Sequence, residues 1–528
     1  MKASEFKIDK AKLALVGEDR PLHDKELVTK PKSYLSDAFG RFAKNKGSVF
    51  AAIVIGILVL YSLIAPIFSP YNVSYRDPVF VKILPKSQLF ENTNFWDGCS
   101  NKELNYRQFV QYYAMGVETG HNALKNQEYT VNNGADPTTT TETFNARVDS
   151  YQLAGCQFKM LTLEEYQDIQ KYQDETGIEI IYPITKVSKR PVAVQDERDA
   201  NFWYETKKNG SITDPINYTV DESGVFHFTN IYVEHGKASS YQEYSSDMYT
   251  SKVRLEGDTP LYDYARIMQG GTFEVRVNYY EYYIYYHTYV LHDKITKPMF
   301  LFGTTALGQD LFTCLASGAR FSFLLAIVVS LVNMVVGAIY GAIEGYYGGK
   351  ADLIMERISE ILGAVPFMIV ITLLRYHMGT SPQWLILFIA FFATGWLGMA
   401  GTVRMQFYRF KNQEYVLASR TLGASDRRIM FKHIFPNSLG TIVTSCVLVI
   451  PGMIFSETSL SYLGIINLST GKMTSVGTLL AGGQPYLTSF PHIIIFPAVF
   501  ISLLMLSFNL FGNGLRDAFN PSLRGTED

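Results

Sequence analysis

The chain has 528 residues, of which 47% are hydrophobic and 18% are charged, and its formal net charge is −2. This length exceeds one compact domain, and a near-neutral charge without a basic stripe gives no support for a nucleic-acid partner. The four cysteines contain no CxxC pair, so neither a zinc site nor a redox motif is indicated. Long apolar runs flank one polar stretch, residues 71–297, which is typical of a membrane protein with a large soluble insertion.

The first apolar run, residues 48–68, is predicted to be a membrane-spanning helix. Its 21 residues, at about 1.5 Å of rise each, can cross a bilayer core of about 30 Å. The segment 1–47 precedes it, and no small-x-small cleavage site follows it. We therefore expect this helix to be retained as an anchor and not removed as a signal peptide.

Residues 71–297 are predicted to form an inserted α+β or α/β domain. Within them, residues 78–297 hold 23 of the chain's 35 tyrosines, a density that suits strands and a partly solvent-exposed surface. Apolar and polar residues alternate from Phe273 to Tyr279, which predicts a strand with one buried face. Residues 216–220 and 225–233, joined by a short turn sequence, predict a hairpin.

Two further local signals lie in the same region. Thr162 and Glu165 form a capping box that predicts a helix reaching about Thr176. The run 132–143, which contains Asn-Asn-Gly and four consecutive threonines, is predicted to be a flexible loop. The region is therefore expected to be folded and not a linker.

The role of the inserted domain stays open between two interpretations. Exposed tyrosines would form a docking or ligand surface, because tyrosine is favoured at interfaces, or they are ordinary sheet filler. The region contains no HExxH motif, nucleophile elbow or paired catalytic motif, which argues against an ectoenzyme. A disulfide between Cys99 and Cys156 is possible, and two unpaired buried thiols are the alternative.

Five further apolar segments follow the insertion and bring the predicted spans to six. The third and fifth spans are shorter than the roughly 20 residues a spanning helix needs, so flanking residues must extend them. The five segments cover residues 321–343, 361–374, 384–403, 439–455 and 492–511.

Lysine and arginine set the orientation, because short basic loops stay in the cytoplasm. Basic residues cluster within 1–47 and again within 404–437, so both segments are predicted to be cytoplasmic, as is the tail 515–528. The inserted domain and the loop 457–491 are then extracytoplasmic. We expect a multi-pass protein of the cytoplasmic membrane with both termini inside.

The cytoplasmic loop carries a helix, a glycine turn and a second helix within residues 414–437. Tyr415, Ala418 and Leu422 recur at helical spacing and form one apolar stripe. Gly423 is predicted to end the first helix, because glycine adopts the left-handed conformation without a Cβ clash.

Ser425 is predicted to cap the second helix, with Asp426 near its positive end, and Pro436 to mark its end before the next span. Small residues at Ser419 and Ala424 would allow the backbone of a partner to approach closely. A helix, a turn and a helix at the membrane surface can fit into the groove of another protein.

This loop resembles the coupling motif of ABC import permeases, in which Glu-Ala-Ala precedes a glycine and a later apolar-Pro-Asn sequence. Leu417 stands where the family has its glutamate, Ser419 replaces the second alanine, and Glu414 lies one turn earlier. The matching residues are Ala418, Gly423, His433, Pro436 and Asn437. The resemblance implies that the ATPase-coupling residues are Glu414, Ala418, Ser419, Leu422, Gly423, Ala424, Arg428, His433, Pro436 and Asn437.

Other stretches resemble the C-type permease subunit of oligopeptide, dipeptide and nickel importers. They are the basic run 41–46, FGTTALGQDLFTCLASGAR (302–320), EGYYGGKAD (344–352), SETSLSYLG (456–464) and the tail FNLFGNGLRDAFNPSLRG (508–525). The resemblance implies a permease core at 302–514 with five helices, hence six transmembrane helices of the ABC type I importer fold. The large insertion departs from the family pattern.

The resemblance implies a function in ATP-driven import of oligopeptides or dipeptides. The chain itself has no phosphate-binding loop, since no Gly-Lys pair is followed by serine or threonine, so we expect no enzymatic activity and no directly bound cofactor. ATP and Mg would bind two cytoplasmic ATPase subunits. The other expected partners are a second homologous permease, an extracytoplasmic substrate-binding protein and membrane lipid. The alternatives are import of another solute, such as a nickel chelate, and a membrane-anchored sensory or adhesion role.

Overall fold

The fold is described from a computed structural model. The structure describes residues 34–90, 93–105, 119–133, 140–182, 272–293, 295–468 and 474–519, with isolated residues between 108 and 116 and short strands between 184 and 267. The helices are α1 Tyr34–Lys44, α2 Lys46–Phe68, α3 Leu163–Thr176, α4 Tyr279–Tyr285, α5 Leu311–Tyr347, α6 Gly349–Gly363, α7 Phe367–His377, α8 Gln383–Phe410, α9 Glu414–Thr421, α10 Asp426–Tyr462, α11 Val476–Gly483 and α12 His492–Ala518.

Among the residues that the structure describes, five helices are long and apolar enough to cross a membrane, namely α2, α5, α8, α10 and α12. Helices α6 and α7 would make a sixth span only as a pair, and they are bent by 71°. The predicted third span is therefore wrong as a single straight helix. Pro366 directly precedes α7, and proline disfavours helical backbone at the residue before it, which places the break there.

Helix α10 is longer than the sequence predicts. It continues to Tyr462, so Glu457, which was expected to begin an external loop, lies within the helix and is 1% exposed. Its carboxylate accepts hydrogen bonds from Ser322 at 2.8 Å and Ser461 at 3.0 Å. The expected loop boundary at 457 is corrected, because these two hydroxyls satisfy the acidic side chain inside the helical bundle.

The membrane core is held together by close backbone packing between α5 and α8. Gly337, Gly341 and Gly345 form a stripe at four-residue spacing on α5. A Cβ on Gly341 would lie 2.1 Å from the carbonyl oxygen of Ala400, and one on Gly345 would lie 2.8 Å from that of Arg404. Small residues at such positions let membrane helices approach until their backbones touch.

The inserted region contains two larger sheets and several short strand pairs. In the first sheet the order is β1–β3–β2, and in the second β15 lies between β14 and β4 and also pairs with β5. The strands are β1 Cys99–Asn105, β2 Leu124–Asn133, β3 Thr140–Asp149, β4 Cys156–Leu161, β5 Ile181–Tyr182, β6 Ile184–Thr185, β7 Val192–Ala193, β8 Tyr218–Val220, β9 Phe226–Phe228, β10 Tyr232–Val233, β11 Leu255–Glu256, β12 Thr259–Pro260, β13 Tyr262–Asp263, β14 Ala265–Ile267 and β15 Phe273–Asn278.

Several local predictions for this region are confirmed. The capping box of Thr162 and Glu165 is present, and α3 ends at Thr176, with Gly177 in the left-handed conformation. Strands β8 and β9 pair as an antiparallel hairpin, and the turn predicted between them lies outside the described residues. Strand β10 pairs with β7 instead, so the second predicted strand is divided.

Strand β15 forms as predicted, but the expectation of one buried face is wrong, because every residue from Phe273 to Asn278 is buried. The strand is internal to its sheet. On its polar side, the Asn278 amide donates to the Tyr182 hydroxyl at 3.4 Å. Alternating polarity therefore does not mark a wet face here.

The predicted flexible loop at 132–143 is also corrected. Its ends belong to β2 and β3, which pair through Asn133 and Thr140, and residues 134–139 lie outside the described part. Thr140, Thr141 and Thr143 belong to β3, where β-branched residues are favoured. No disulfide joins Cys99 to Cys156 in the structure.

Candidate coupling site

The first helix of the predicted coupling loop, α9, ends where the sequence indicates. Gly423 has φ of 79°, and its N–H donates to the Arg420 carbonyl at 3.0 Å, while the Ala424 N–H donates to the Ser419 carbonyl at 3.1 Å. No atom lies within 4 Å of a Cβ built on Gly423. Within this chain, glycine is favoured at position 423 by the left-handed backbone conformation and not by crowding from neighbouring atoms.

The second helix begins at Asp426, but it does not end at Pro436. Ser425 occupies the cap position without a side-chain cap hydrogen bond, and the helix continues through a wide π-helical stretch, Ile429–Ile434, into the spanning part of α10. Proline would clash with the carbonyl four residues earlier in an ideal α-helix, and a wider turn relieves that clash. The second helix is thus a rigid extension of a membrane span.

One face of the helical hairpin formed by α9 and the start of α10 is anchored in the membrane core. Val416, Ile429 and Ile434 are completely buried, in a cluster that includes Phe407 and Val403 of α8. The hairpin is therefore packed against the ends of the spans and does not project as a free loop.

The opposite face of the hairpin is open. Leu422 is 88% exposed, and Tyr415 and Leu417 are 38% and 44% exposed. The stripe of Tyr415, Ala418 and Leu422 that the spacing indicates thus points away from the core. Ala418 is exposed on the same outer surface. An apolar tip of this kind, held by a rigid base, is typical of a protein interaction site.

Hydrogen bonds brace the hairpin against α5 and α8. The Tyr346 hydroxyl donates to the Asp426 carboxylate at 2.6 Å, and the Arg420 guanidinium donates to the same hydroxyl at 3.5 Å. The Lys411 ammonium donates to the Gly345 carbonyl at 2.9 Å. The C-terminal end of α5 is consequently tied to both helices of the hairpin and to the end of α8.

Asn437 closes the base of the hairpin. Its amide donates to the Tyr415 hydroxyl at 3.2 Å and to the His433 carbonyl at 2.8 Å. Partial burial raises the pKa of Tyr415, although the hydrogen bond from Asn437 opposes this rise. This residue of the predicted motif therefore has a structural contact that joins the two helices.

An acidic cluster lies beside the hairpin at the ends of α5 and α6. Carboxylate oxygens of Glu344, Asp352 and Glu356 lie within 4.8 Å of one another, close enough to hold a metal ion. Arg404 pairs with all three, at 2.7 Å to Asp352 and 3.4 Å to Glu344. Because one guanidinium pairs with carboxylates of two other helices, the cluster acts as an ionic clamp between α5, α6 and α8.

The structure places eight of the ten predicted residues in two groups. The tip holds Ala418, Ser419, Leu422, Gly423 and Ala424. The base holds His433, Pro436 and Asn437, while Glu414 and Arg428 are exposed at the starts of α9 and α10.

Sequence reasoning missed the bracing role of Tyr346 and the buried anchor Val416. Tyr346 lies within EGYYGGKAD, a stretch that resembles the C-type permeases but whose local sequence indicates no bracing role. Its contact with Asp426 spans 80 residues of sequence, which no local pattern indicates.

Models of known protein families match two parts of the chain. Residues 333–525 match the "Binding-protein-dependent transport system inner membrane component", and residues 33–85 match the "N-terminal TM domain of oligopeptide transport permease C". The first match covers the helices that hold the hairpin, and the second covers α2. Most of the inserted region lies between the two matches.

Parts of the chain are also similar to individual permease proteins. The oligopeptide transport system permease protein OppC of Bacillus subtilis is 44% identical over 233 residues, which is 44% of this chain and 75% of the relative. The dipeptide transport system permease protein DppC of the same organism is 43% identical over 225 residues, 42% of this chain and 69% of the relative. The inward-facing MetNI methionine ABC transporter aligns over 39% of this chain and 96% of its own, with 17% identity and a TM-score of 0.32, too low to support an argument. The chain therefore belongs to the family of binding-protein-dependent transport system inner-membrane components, the permease subunits of ABC importers.

Proposed function

We propose that this chain is one of two homologous permease subunits of an ATP-driven importer of oligopeptides or dipeptides. The names of the most similar relatives support the peptide substrates. Residues 404–437, which include the hairpin, would lie in the cytoplasm with both termini, and residues 71–297 outside, as the distribution of lysine and arginine indicates. A substrate-binding protein would deliver the peptide on that outer side.

One observation carries the coupling part of the proposal. Leu422 is 88% exposed at the tip of a hairpin whose other face is fully buried against the spans. An exposed leucine side chain contributes no burial free energy. The groove of an ATPase subunit would remove it from water and so stabilise the contact. ATP and Mg would bind on two such ATPases, and their closure would move the hairpin as a rigid lever.

The continuous helix α10 explains how movement at the tip would reach the translocation pathway. The helix runs from Asp426 to Tyr462 without interruption, so a push on its first turns displaces the whole span. The clamp made by Arg404 and the bond from Tyr346 to Asp426 would pass the same displacement to α5 and α8. Packed interfaces of this kind switch between discrete arrangements.

Photo-crosslinking in intact cells tests the proposal. A photoreactive residue placed at Ser419 or Ala424 should become joined to a nucleotide-binding protein, which mass spectrometry identifies. The same residue at Ile178, a partly exposed apolar position of the inserted region, is the matched control and should give no such product. Labelled di- and oligopeptide uptake, competed with a nickel chelate, tests the substrate separately.

Cross-links from Ser419 and Ala424 that never reach a nucleotide-binding protein would refute the coupling role. Uptake that a nickel chelate blocks and peptides do not would refute the peptide assignment while leaving the coupling role intact.

A further inference from the structure

A short segment at the base of the inserted region exposes large apolar side chains. Leu89 is 87% exposed, Phe95 is 64% exposed and Phe90 is 37% exposed. Among the described residues of this segment, 88–90 and 93–96, none carries a charge. Contiguous apolar surface of this kind marks a contact with a protein or a membrane.

Aromatic stacking fixes this segment to the last membrane span. The Trp96 ring stacks on Phe496 of α12 at 5.8 Å and on Phe302 at 6.2 Å, and Phe90 stacks on Trp96 at 6.1 Å. The Trp96 indole N–H also donates to the Leu301 carbonyl at 2.6 Å. The segment therefore keeps a set position relative to the spans.

The backbone at Trp96 supports the same conclusion. Its φ is 56°, a left-handed conformation that is rare for a bulky residue and persists only where surrounding contacts enforce it. The next residue, Asp97, is held by the Arg147 guanidinium at 2.7 Å. The backbone conformation of Trp96 and the Arg147 contact of Asp97 both fix the turn that places the Trp96 ring on α12.

The contact with α12 sets the depth of the segment. Phe496 is the fifth residue of α12, so it lies about 6 Å along the axis from the start of the helix. A ring stacked on it lies at the boundary between the bilayer and water, where tryptophan is enriched at membrane surfaces. Phe90 and Phe95, whose rings contact Trp96, lie near this end of α12.

An apolar groove of about 810 Å³ continues this surface toward α2. Ile57, Leu60 and Phe68 of α2 form one wall and are 58%, 55% and 79% exposed, and Leu301 forms part of the other. Lys297 is the cation that lines it among the described residues. Leu301 joins the groove to the exposed segment, because its carbonyl accepts the Trp96 hydrogen bond.

We propose that residues 88–90 and 93–96 anchor the inserted region to the membrane, with Leu89, Phe90 and Phe95 among the acyl chains of phospholipids in the adjacent leaflet. The groove takes one acyl chain, and the Lys297 ammonium binds the headgroup phosphate. Phospholipid fits this site because apolar side chains of a spanning helix line the groove together with a lysine. The side chains also lie at the depth of the lipid boundary.

Photo-crosslinking of the complete transporter in phospholipid nanodiscs tests this proposal. The residue p-benzoylphenylalanine replaces Leu89 in one variant and Phe95 in another, and intact mass spectrometry reports what becomes attached. Met160, 49% exposed on β4, is the matched control position. We expect a phospholipid adduct from both segment positions and no phospholipid adduct from Met160.

Each other outcome contradicts the anchor. Attachment to a second permease or to a binding protein would assign the surface to that partner. Absence of any lipid adduct, or equal adducts at Met160, would show that the segment does not enter the leaflet. Because the readout needs no transport, failure here leaves the import function untouched.

Discussion

The membrane core and the inserted region are held together in different ways. In the core, α5 and α8 meet backbone to backbone, with Gly341 against Ala400. In the inserted region, large side chains fill the interior, and three of its tyrosines, Tyr151, Tyr279 and Tyr283, are fully buried. The Tyr279 hydroxyl donates to the buried Asp77 carboxylate at 2.8 Å.

This difference explains why one region is easy to assign to a family and the other is not. Close helix contact tolerates only small residues at a fixed spacing, so the sequence of the core is strongly constrained. A core of aromatic rings can be filled in many ways, so long as polar tips find partners. The buried tyrosines named above fill the core of the described part of the inserted region, but they lie in α4 and in a turn and not in a strand.

The largest effect is expected where the core backbones touch. Gly341→Leu should lower the free energy of unfolding by about 3 kcal/mol or more, because the new side chain meets the Ala400 carbonyl. The measurement is the thermal denaturation of detergent-purified protein. Gly401→Leu on α8, where no atom lies within 4 Å, is the control. Equal melting of the two variants would show that close packing does not hold the core.

The second effect concerns the tip of the hairpin. Gly423→Val should abolish peptide uptake while membrane insertion is retained, because a left-handed backbone costs a β-branched residue about 1–2 kcal/mol. Gly423→Asn, which tolerates this conformation, should keep most uptake. Radiolabelled peptide uptake at matched expression measures both variants. Equal peptide uptake by the two variants would show that the left-handed backbone at Gly423 is not what coupling requires.

A smaller effect is expected from the brace between the span and the hairpin. Tyr346→Phe removes the hydrogen bond to Asp426, worth about 1 kcal/mol at this partly buried site. We expect less peptide transported per ATP hydrolysed, with ATPase activity retained. Tyr347→Phe, which alters an exposed neighbour, is the control. If the ratio of peptide transported to ATP hydrolysed stays at the wild-type value, the hydrogen bond from Tyr346 to Asp426 does not contribute to coupling.

The smallest effect sharpens the description of the inserted region. Burial lowers the pKa of His287 from its ordinary value of 6.5, although the Asp293 carboxylate at 2.8 Å favours the charged ring. Tyr75 and Tyr283 also pack on this ring. Below pH 6.5 the unfolded chain binds the proton before the native state does, so the free energy of unfolding should fall by at most about 1.4 kcal/mol per pH unit.

Urea titrations followed by limited proteolysis of the inserted region, repeated between about pH 5 and 8, would measure this dependence. His287→Phe should flatten it. A steeper loss of stability in that variant would assign the pH dependence to another group.

Much of the coupling site follows from local sequence. The left-handed turn at Gly423 and the capping position of Ser425 need only near neighbours, and both are found where predicted. The choice of buried face was not predictable in this way. Val416 is buried and Tyr415 exposed because Ile429 and Ile434 return to pack on α8, and the sequence alone does not show where a later segment returns.

By itself the sequence determined the apolar spans, the turn of the hairpin and the cap of α3, because each depends on residues within a few positions of one another. Tertiary structure decided the burial of Glu457, the bracing by Tyr346 and the stacking of Trp96 on Phe496. Each of these joins distant segments or adjusts a helix to its neighbours, and such contacts depend on three-dimensional packing and not on local residue preference.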